Sequence, residues 1–104
     1  MTTAAPNQRT LVTVIAESAL EREVTRELDA LGVGGYTITD ARGRGSRGKR
    51  SSNWAHSGNI RIEVVCDRPL SEKVMQRLRE KYYENYAMIM FCQDVEVLRP
   101  EKFR

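Results

Sequence analysis

The 104-residue sequence has few of the residues that would mark a metal centre, a disulfide framework or a membrane span. It holds two cysteines, one histidine, one tryptophan and three prolines. Cys66 and Cys92 lie inside apolar, strand-like runs and are not spaced as a metal pair, so they read as buried reduced thiols. One histidine, His56, is too little for a metal site. No apolar run approaches the ~18 residues of a spanning helix, and Met1 to Arg9 lacks the apolar stretch of a signal peptide. The expectation is a soluble, cytoplasmic protein. The length suits a single domain, 1–104, and a domain this small buries a modest share of its surface, which makes oligomerisation a natural source of further burial.

Acidic residues are also missing from one stretch. Between Arg42 and Gly58 stand Arg42, Arg44, Arg47, Lys49 and Arg50 with no Asp or Glu, so this stretch carries +5 while the rest of the +3 chain is net −2. Concentrated charge of this kind suits a local anion site better than a surface coated for nonspecific nucleic-acid binding.

What is present reads as alternating strands and helices. Residues 1–9 form a polar, flexible arm, and Leu11 to Ala16 (LVTVIA) is a β-branched run suited to an interior strand. Ser18 with Glu21 predicts a capping box opening a helix, whose Leu20, Val24, Leu28 and Leu31 share a stripe and which Gly32 stops. Tyr36 to Asp40 alternates as an edge strand, and Asn59 to Cys66 alternates as a strand with one strongly apolar face. After Pro69, Ser71 is the predicted cap of a second helix, with Val74, Met75, Leu78 and Tyr82 as its buried stripe and Tyr82, Tyr83 and Tyr86 closing the helix–sheet boundary. Ala87 to Leu98 is the last strand, with Ile89, Phe91, Val95 and Val97 on one face, and a basic tail follows at 99–104.

The order βαββαβ predicts an α+β, ferredoxin-like fold with both helices on one face of an antiparallel sheet. Val12, Val14 and Val65, with Met88, Met90 and Leu98, are expected on the other face. They are too many for water, so that face is expected to be buried against identical subunits.

The connection from about 43 to 58 has no hydrophobic periodicity and far exceeds the usual ~4–6 residues. Its glycines let backbone amides approach an anion, and its arginines offer planar forks to phosphate oxygens. It is not a P-loop, because GxxxxGK[ST] is absent and a strand follows. Composition alone leaves a phosphate cradle and a merely solvated loop equally open.

Further motifs run along nearly the whole chain: Gly34-Gly35-Tyr36-Thr37, Gly43-Arg44-Gly45-Ser46-Arg47, Asn59-Ile60-Arg61-Ile62-Glu63-Val64 and Lys81-Tyr82-Tyr83-Glu84-Asn85-Tyr86. In this order and spacing they resemble the PII-like signalling proteins, and within them the SbtB and carboxysome-associated branch. The resemblance implies a non-enzymatic, trimeric nucleotide sensor whose long connection is the T-loop that docks on a target protein. Adenine nucleotides, ADP or AMP with cyclic AMP as a further candidate, would lie in clefts between subunits. Bicarbonate is implied as a second ligand, and a bicarbonate transporter or a carboxysome-associated protein as the target.

By the same resemblance, Thr37 lies at the adenine end with Gly35 among the ligand-binding residues, and Gly45, Ser46, Arg47 and Arg50 surround the phosphates. Glu63 and Arg99 are placed to contribute from neighbouring strands, although Glu63 reads equally well as a solvated strand residue. Trp54 and His56, at the middle of the loop, are assigned to partner contact. Trp54 can either anchor an interface or fold back on its own subunit, and His56 by itself is a polar loop residue. Two departures from nitrogen-regulatory PII bear on the ligand. The segment Tyr83 to Ala87 lacks a glycine- and lysine-rich phosphate loop, and the T-loop lacks the tyrosine modification site, which argues against sensing of ATP with 2-oxoglutarate.

The same fold order also serves RNA-recognition modules, but those stack bases on strand-three aromatics, and Asn59 to Cys66 has none. No nucleophile elbow or metal-spaced cluster supports an enzyme.

Overall fold

The structure, a computed structural model, describes residues 6–44 and 58–104. Six elements follow one another: β1 (Gln8–Glu17), α1 (Glu21–Ala30), β2 (Thr37–Ala41), β3 (Asn59–Cys66), α2 (Arg68–Tyr82) and β4 (Ile89–Glu96). Short 3-10 turns occupy Ser18–Leu20 and Pro100–Lys102. The strands pair antiparallel in the order β2-β3-β1-β4. Each helix therefore crosses over one intervening strand, and the chain has the ferredoxin-like α+β fold. β1 is interior and β2 is at an edge, as the apolar runs predict. β1 begins at Gln8, inside the segment read as an arm.

The register decides which residues meet the helices. In β3 the side chains of Ile60, Ile62, Val64 and Cys66 are at most 2% exposed, alternating with half-buried neighbours. Val12 stands opposite Val64, Val14 opposite Ile62 and Ala16 opposite Ile60, so these β1 residues share the β3 face that the helices cover. Met90 and Cys92 of β4 stand opposite Val14 and Val12 on that same face. The predicted assignment of Val12, Val14, Met88 and Met90 to the open face is thus reversed. LVTVIA is apolar on both parities, and only its pairing with β3 selects the inner one. Val65 does lie on the helix-free face, together with Leu11, Ile15, Ile89 and Phe91. Leu98 lies beyond β4 and is 96% exposed.

From the helix layer, Leu20, Val24 and Leu28 of the first stripe and Val74, Leu78 and Tyr82 of the second enter the core. The two helices are tied on their outer side by Glu27, which accepts from Arg77 at 3.0 Å and pairs with Lys81. These two cations hold the Glu27 carboxyl below its ordinary value, Lys81 foremost. Gly32, at φ +89°, ends α1 in the left-handed region, where the amide of Val33 reaches back to the Leu28 carbonyl at 3.1 Å.

Both predicted N-caps are corrected. Ser18 and Glu21 form no capping box: Ser18 opens a 3-10 turn, its amide donates to the Gly58 carbonyl at 2.9 Å, and α1 starts without a side-chain cap. Ser71 is not the cap of α2. That cap is Asp67, whose carboxylate accepts from the Leu70 amide at 2.9 Å. Pro69 sits in the first turn, where an absent N–H costs nothing. Ser71 is fully buried one turn in, donating to the Arg68 carbonyl at 2.7 Å.

Candidate functional site

Of the described candidate residues, Gly35 and Thr37 belong to the β2 edge, Glu63 to the adjacent interior strand β3, and Arg99 to the segment after β4. Gly35 precedes β2 and is exposed, and a Cβ added there would meet no atom within 4 Å. Thr37 opens β2 and is exposed; in the register it stands opposite Glu63 of β3. Thr13 of β1 faces Glu63 from the other side, with Phe91 of β4 beyond it. A row Thr37, Glu63, Thr13, Phe91 therefore crosses the helix-free face. Arg61 pairs with Glu63 at 3.3 Å, and both side chains are near 40% exposed, so the carboxylate is accessible to solvent and already partnered by a cation.

Arg99 follows β4, the opposite edge strand. It is exposed; its carbonyl accepts from the Lys102 amide at 3.0 Å, and its side chain makes no hydrogen bond or ion pair among the described residues. Three strand spacings of ~4.8 Å separate β4 from β2, and Arg99 lies beyond the end of β4. The tail then turns back toward the end of α1: the Lys102 carbonyl lies 3.9 Å from where a Gly34 Cβ would stand.

The long connection leaves β2 through Arg42, Gly43 and Arg44, all exposed, and returns at Gly58 against Ser18. Gly45, Ser46, Arg47, Arg50, Trp54 and His56 lie outside the described residues.

The motif Lys81 to Tyr86 serves the scaffold. Lys81 holds Glu27, Tyr82 is buried and meets Tyr86 edge-on at 5.8 Å, and the Tyr83 hydroxyl accepts from the Met90 amide on the outer side of β4 at 3.0 Å. Two groups escaped the sequence reading. The Thr13 hydroxyl is buried on the otherwise open face without a partner among the described residues, and Arg9, in the supposed arm, grips the carboxy-terminal turn. The lone threonine in an apolar run was the available signal for the first; nothing local marks the second.

Among the described residues no group of His, Cys, Asp and Glu could hold a metal ion, and no helix is long and apolar enough to cross a membrane.

A four-stranded sheet in the order β2-β3-β1-β4, with both helices on one face and an apolar open face, defines a small α+β domain of the ferredoxin-like class. The family model for nitrogen regulatory protein P-II matches residues 9–102, and the chain belongs to that family. It is similar over 93% of its length to a PII-like signalling protein from Thermus thermophilus, with 44% identity, 96% of that chain covered and a TM-score of 0.79. It is also similar to CPII, a nitrogen regulatory PII-like protein from Thiomonas intermedia. The structure of CPII bound to ADP, AMP and bicarbonate matches at 28% identity over 93% of this chain and 94% of that one, with a TM-score of 0.83. A second, bound to ADP and bicarbonate, matches at 28% identity, with 93% and 95% covered and a TM-score of 0.81.

Proposed function

We propose that this chain is a non-enzymatic nucleotide sensor, a trimer that binds ADP or AMP in clefts between subunits and takes bicarbonate as a second ligand. Its T-loop, about 43–58, relays the bound state to a target in inorganic-carbon metabolism, a bicarbonate transporter or a carboxysome-associated protein in the cytoplasm. The observation that carries the reading is the split of the candidate site. Gly35 and Thr37 stand at the β2 edge, Glu63 beside them on β3, and Arg99 beyond the end of β4; in this reading one subunit's Arg99 completes a neighbour's site. The helix-free face supports the same assembly, because Ile89 at 53% and Phe91 at 46% exposure lie there beside Leu11, Ile15 and Val65. The ligands are those held by CPII.

In this reading the domain is single, with the T-loop and the basic tail at 99–104 as its ligand-facing parts. Gly45, Ser46, Arg47 and Arg50 cradle the phosphates, Thr37 faces the adenine with Gly35 beside it, and Trp54 and His56 meet the target. Glu63, held by Arg61, does not repel the phosphates as a free carboxylate would.

Calorimetric titration with ATP, ADP, AMP and cyclic AMP, with and without bicarbonate, tests it. ADP and AMP bind the parent protein, and Arg47→Ala weakens them about ten- to a hundredfold, the equivalent of one or two charge-assisted contacts. Adenosine is unaffected, and Arg47→Lys recovers part of the loss because an ammonium lacks the bidentate fork. Parent-like binding of ADP and AMP by the double variant Arg47→Ala, Arg50→Ala would reject the loop as the phosphate site.

A further inference from the structure

The two ends of the described chain meet at one end of the sheet. The β1–β4 ladder runs to Gln8 opposite Glu96, the Val97 amide adds a bond to the Asn7 carbonyl at 2.9 Å, and the Asn7 side chain donates to Glu96 at 2.9 Å. The ladder then stops, and the chain turns through Arg99 at φ −129°, ψ 75° into the Pro100–Lys102 turn. A segment leaving an edge strand has no sheet bonds to hold it and would ordinarily fray.

Arg9 supplies what the sheet does not. Its Nε donates to the Phe103 carbonyl at 2.7 Å and its Nη2 to the Pro100 carbonyl at 2.9 Å. Its Nη1 donates to the Gln8 carbonyl at 2.8 Å and the Pro6 carbonyl at 3.3 Å. All four acceptors are main-chain oxygens, two from each end of the chain. The planar fork points its donors in fixed directions, so one side chain brackets the whole turn from Pro100 to Phe103, which a lysine ammonium cannot do. Arg99 stands immediately before this bracket, exposed, with its guanidinium making no hydrogen bond or ion pair among the described residues.

We propose that Arg9 is a positioning residue for the ligand site: by holding the carboxy-terminal turn on the end of the sheet it sets where Arg99 meets the phosphate of a nucleotide. This rests on the reading of Arg99 as a ligand contact given above. Arg9 touches no ligand itself. Its effect on binding passes through Arg99, and its effect on the turn exists without ligand.

The test uses the full chain with Arg9→Ala, Arg9→Lys, Arg99→Ala and the double variant Arg9→Ala, Arg99→Ala. Without nucleotide, the amides of Lys102 and Phe103, which donate to Arg99 and Pro100, exchange faster in Arg9→Ala, while those of Ile62 and Val64 keep parent rates. With ADP as the probe, Arg9→Ala lowers affinity about tenfold, Arg9→Lys lowers it less, and adding Arg9→Ala to Arg99→Ala lowers it no further. Unchanged exchange at Lys102 and Phe103 overturns the clamp. A full additional loss of affinity in the double variant overturns action through Arg99. If Arg99→Ala binds ADP like the parent while Arg9→Ala still loosens the turn, the positioning role falls together with the place given to Arg99; the loop's role stands or falls separately, on Arg47→Ala. Should Arg9→Ala fail to fold, Arg9→Lys gives the same readouts at smaller amplitude, and parent-like exchange in that variant overturns the proposal.

Discussion

The two faces of the sheet are built from the same strands and almost the same residue types, yet they are under opposite constraints. On the helix side, Val12, Val14, Ile62 and Val64 are fully buried within one chain. On the other side, Ile89 and Phe91 remain about half exposed, and the Thr13 hydroxyl is buried with no partner among the described residues. The inner face is finished when the chain folds. The outer face has the chemistry of an interior and the exposure of a surface, and it is finished only by another molecule. Apolar content therefore does not separate core from interface here; the helices do.

The sharpest way to break this comparison is to make the same substitution on both faces. Ile62→Ala removes a fully buried side chain and is expected to cost about 2–5 kcal/mol of unfolding free energy in urea denaturation. Ile89→Ala, from a side chain about half exposed, is expected to cost the folded single chain less than ~1 kcal/mol and to show its main effect as weaker assembly in light scattering at low concentration. Equal losses in chain stability, or unaltered assembly in Ile89→Ala, would erase the distinction between the faces.

Thr13→Val is expected to raise stability by about 1 kcal/mol, since a valine of similar shape removes a buried hydroxyl that pairs with nothing. Thermal unfolding reads the sign. A decrease would mean that a neighbouring copy satisfies the hydroxyl, which would make Thr13 part of the interface.

The smallest effect is confined to alkaline pH. Burial, aided by the adjacent Asp67 carboxylate, pushes the Cys66 thiol from its ordinary 9.0 up to about 11. The unfolded chain ionises first, so stability is unaffected by this group below pH 9.0 and declines between there and about 11. Cys66→Ala should flatten that part of a stability–pH curve. A decline that begins below the ordinary thiol value would assign the effect to another group.

Much of the fold was legible because it depends on periodicity within a segment. Ile60, Ile62 and Val64 alternate strictly enough to declare a half-buried strand, and Leu20, Val24 and Leu28 repeat at helical spacing before a glycine that ends the helix. The caps were misread where a neighbouring group competed. Ser18 has the right neighbour in Glu21, but it follows directly on β1 and its amide is taken by the Gly58 carbonyl. Ser71 is the nearest hydroxyl after Pro69, but a proline fits a helix's first turn, which moves the start back to Asp67. Of the candidate site, Thr37 and Glu63 were picked by resemblance; that they stand opposite one another follows from the β2–β3 register.

By itself the sequence determined the number, kind and order of the elements, the basic character of the connection between β2 and β3, and membership of the P-II family, since each resides in local pattern and composition. Tertiary structure alone decided which parity of β1 faces the helices, that Thr37 lies on one edge strand while Arg99 follows the other, and that Arg9 holds carbonyls more than ninety positions away. The physical reason is the same in each case. Local propensity acts over a turn or a strand, whereas the choice of face, edge and long-range hydrogen-bond partner is made only when β1 inserts between β3 and β4 and brings distant backbone into register.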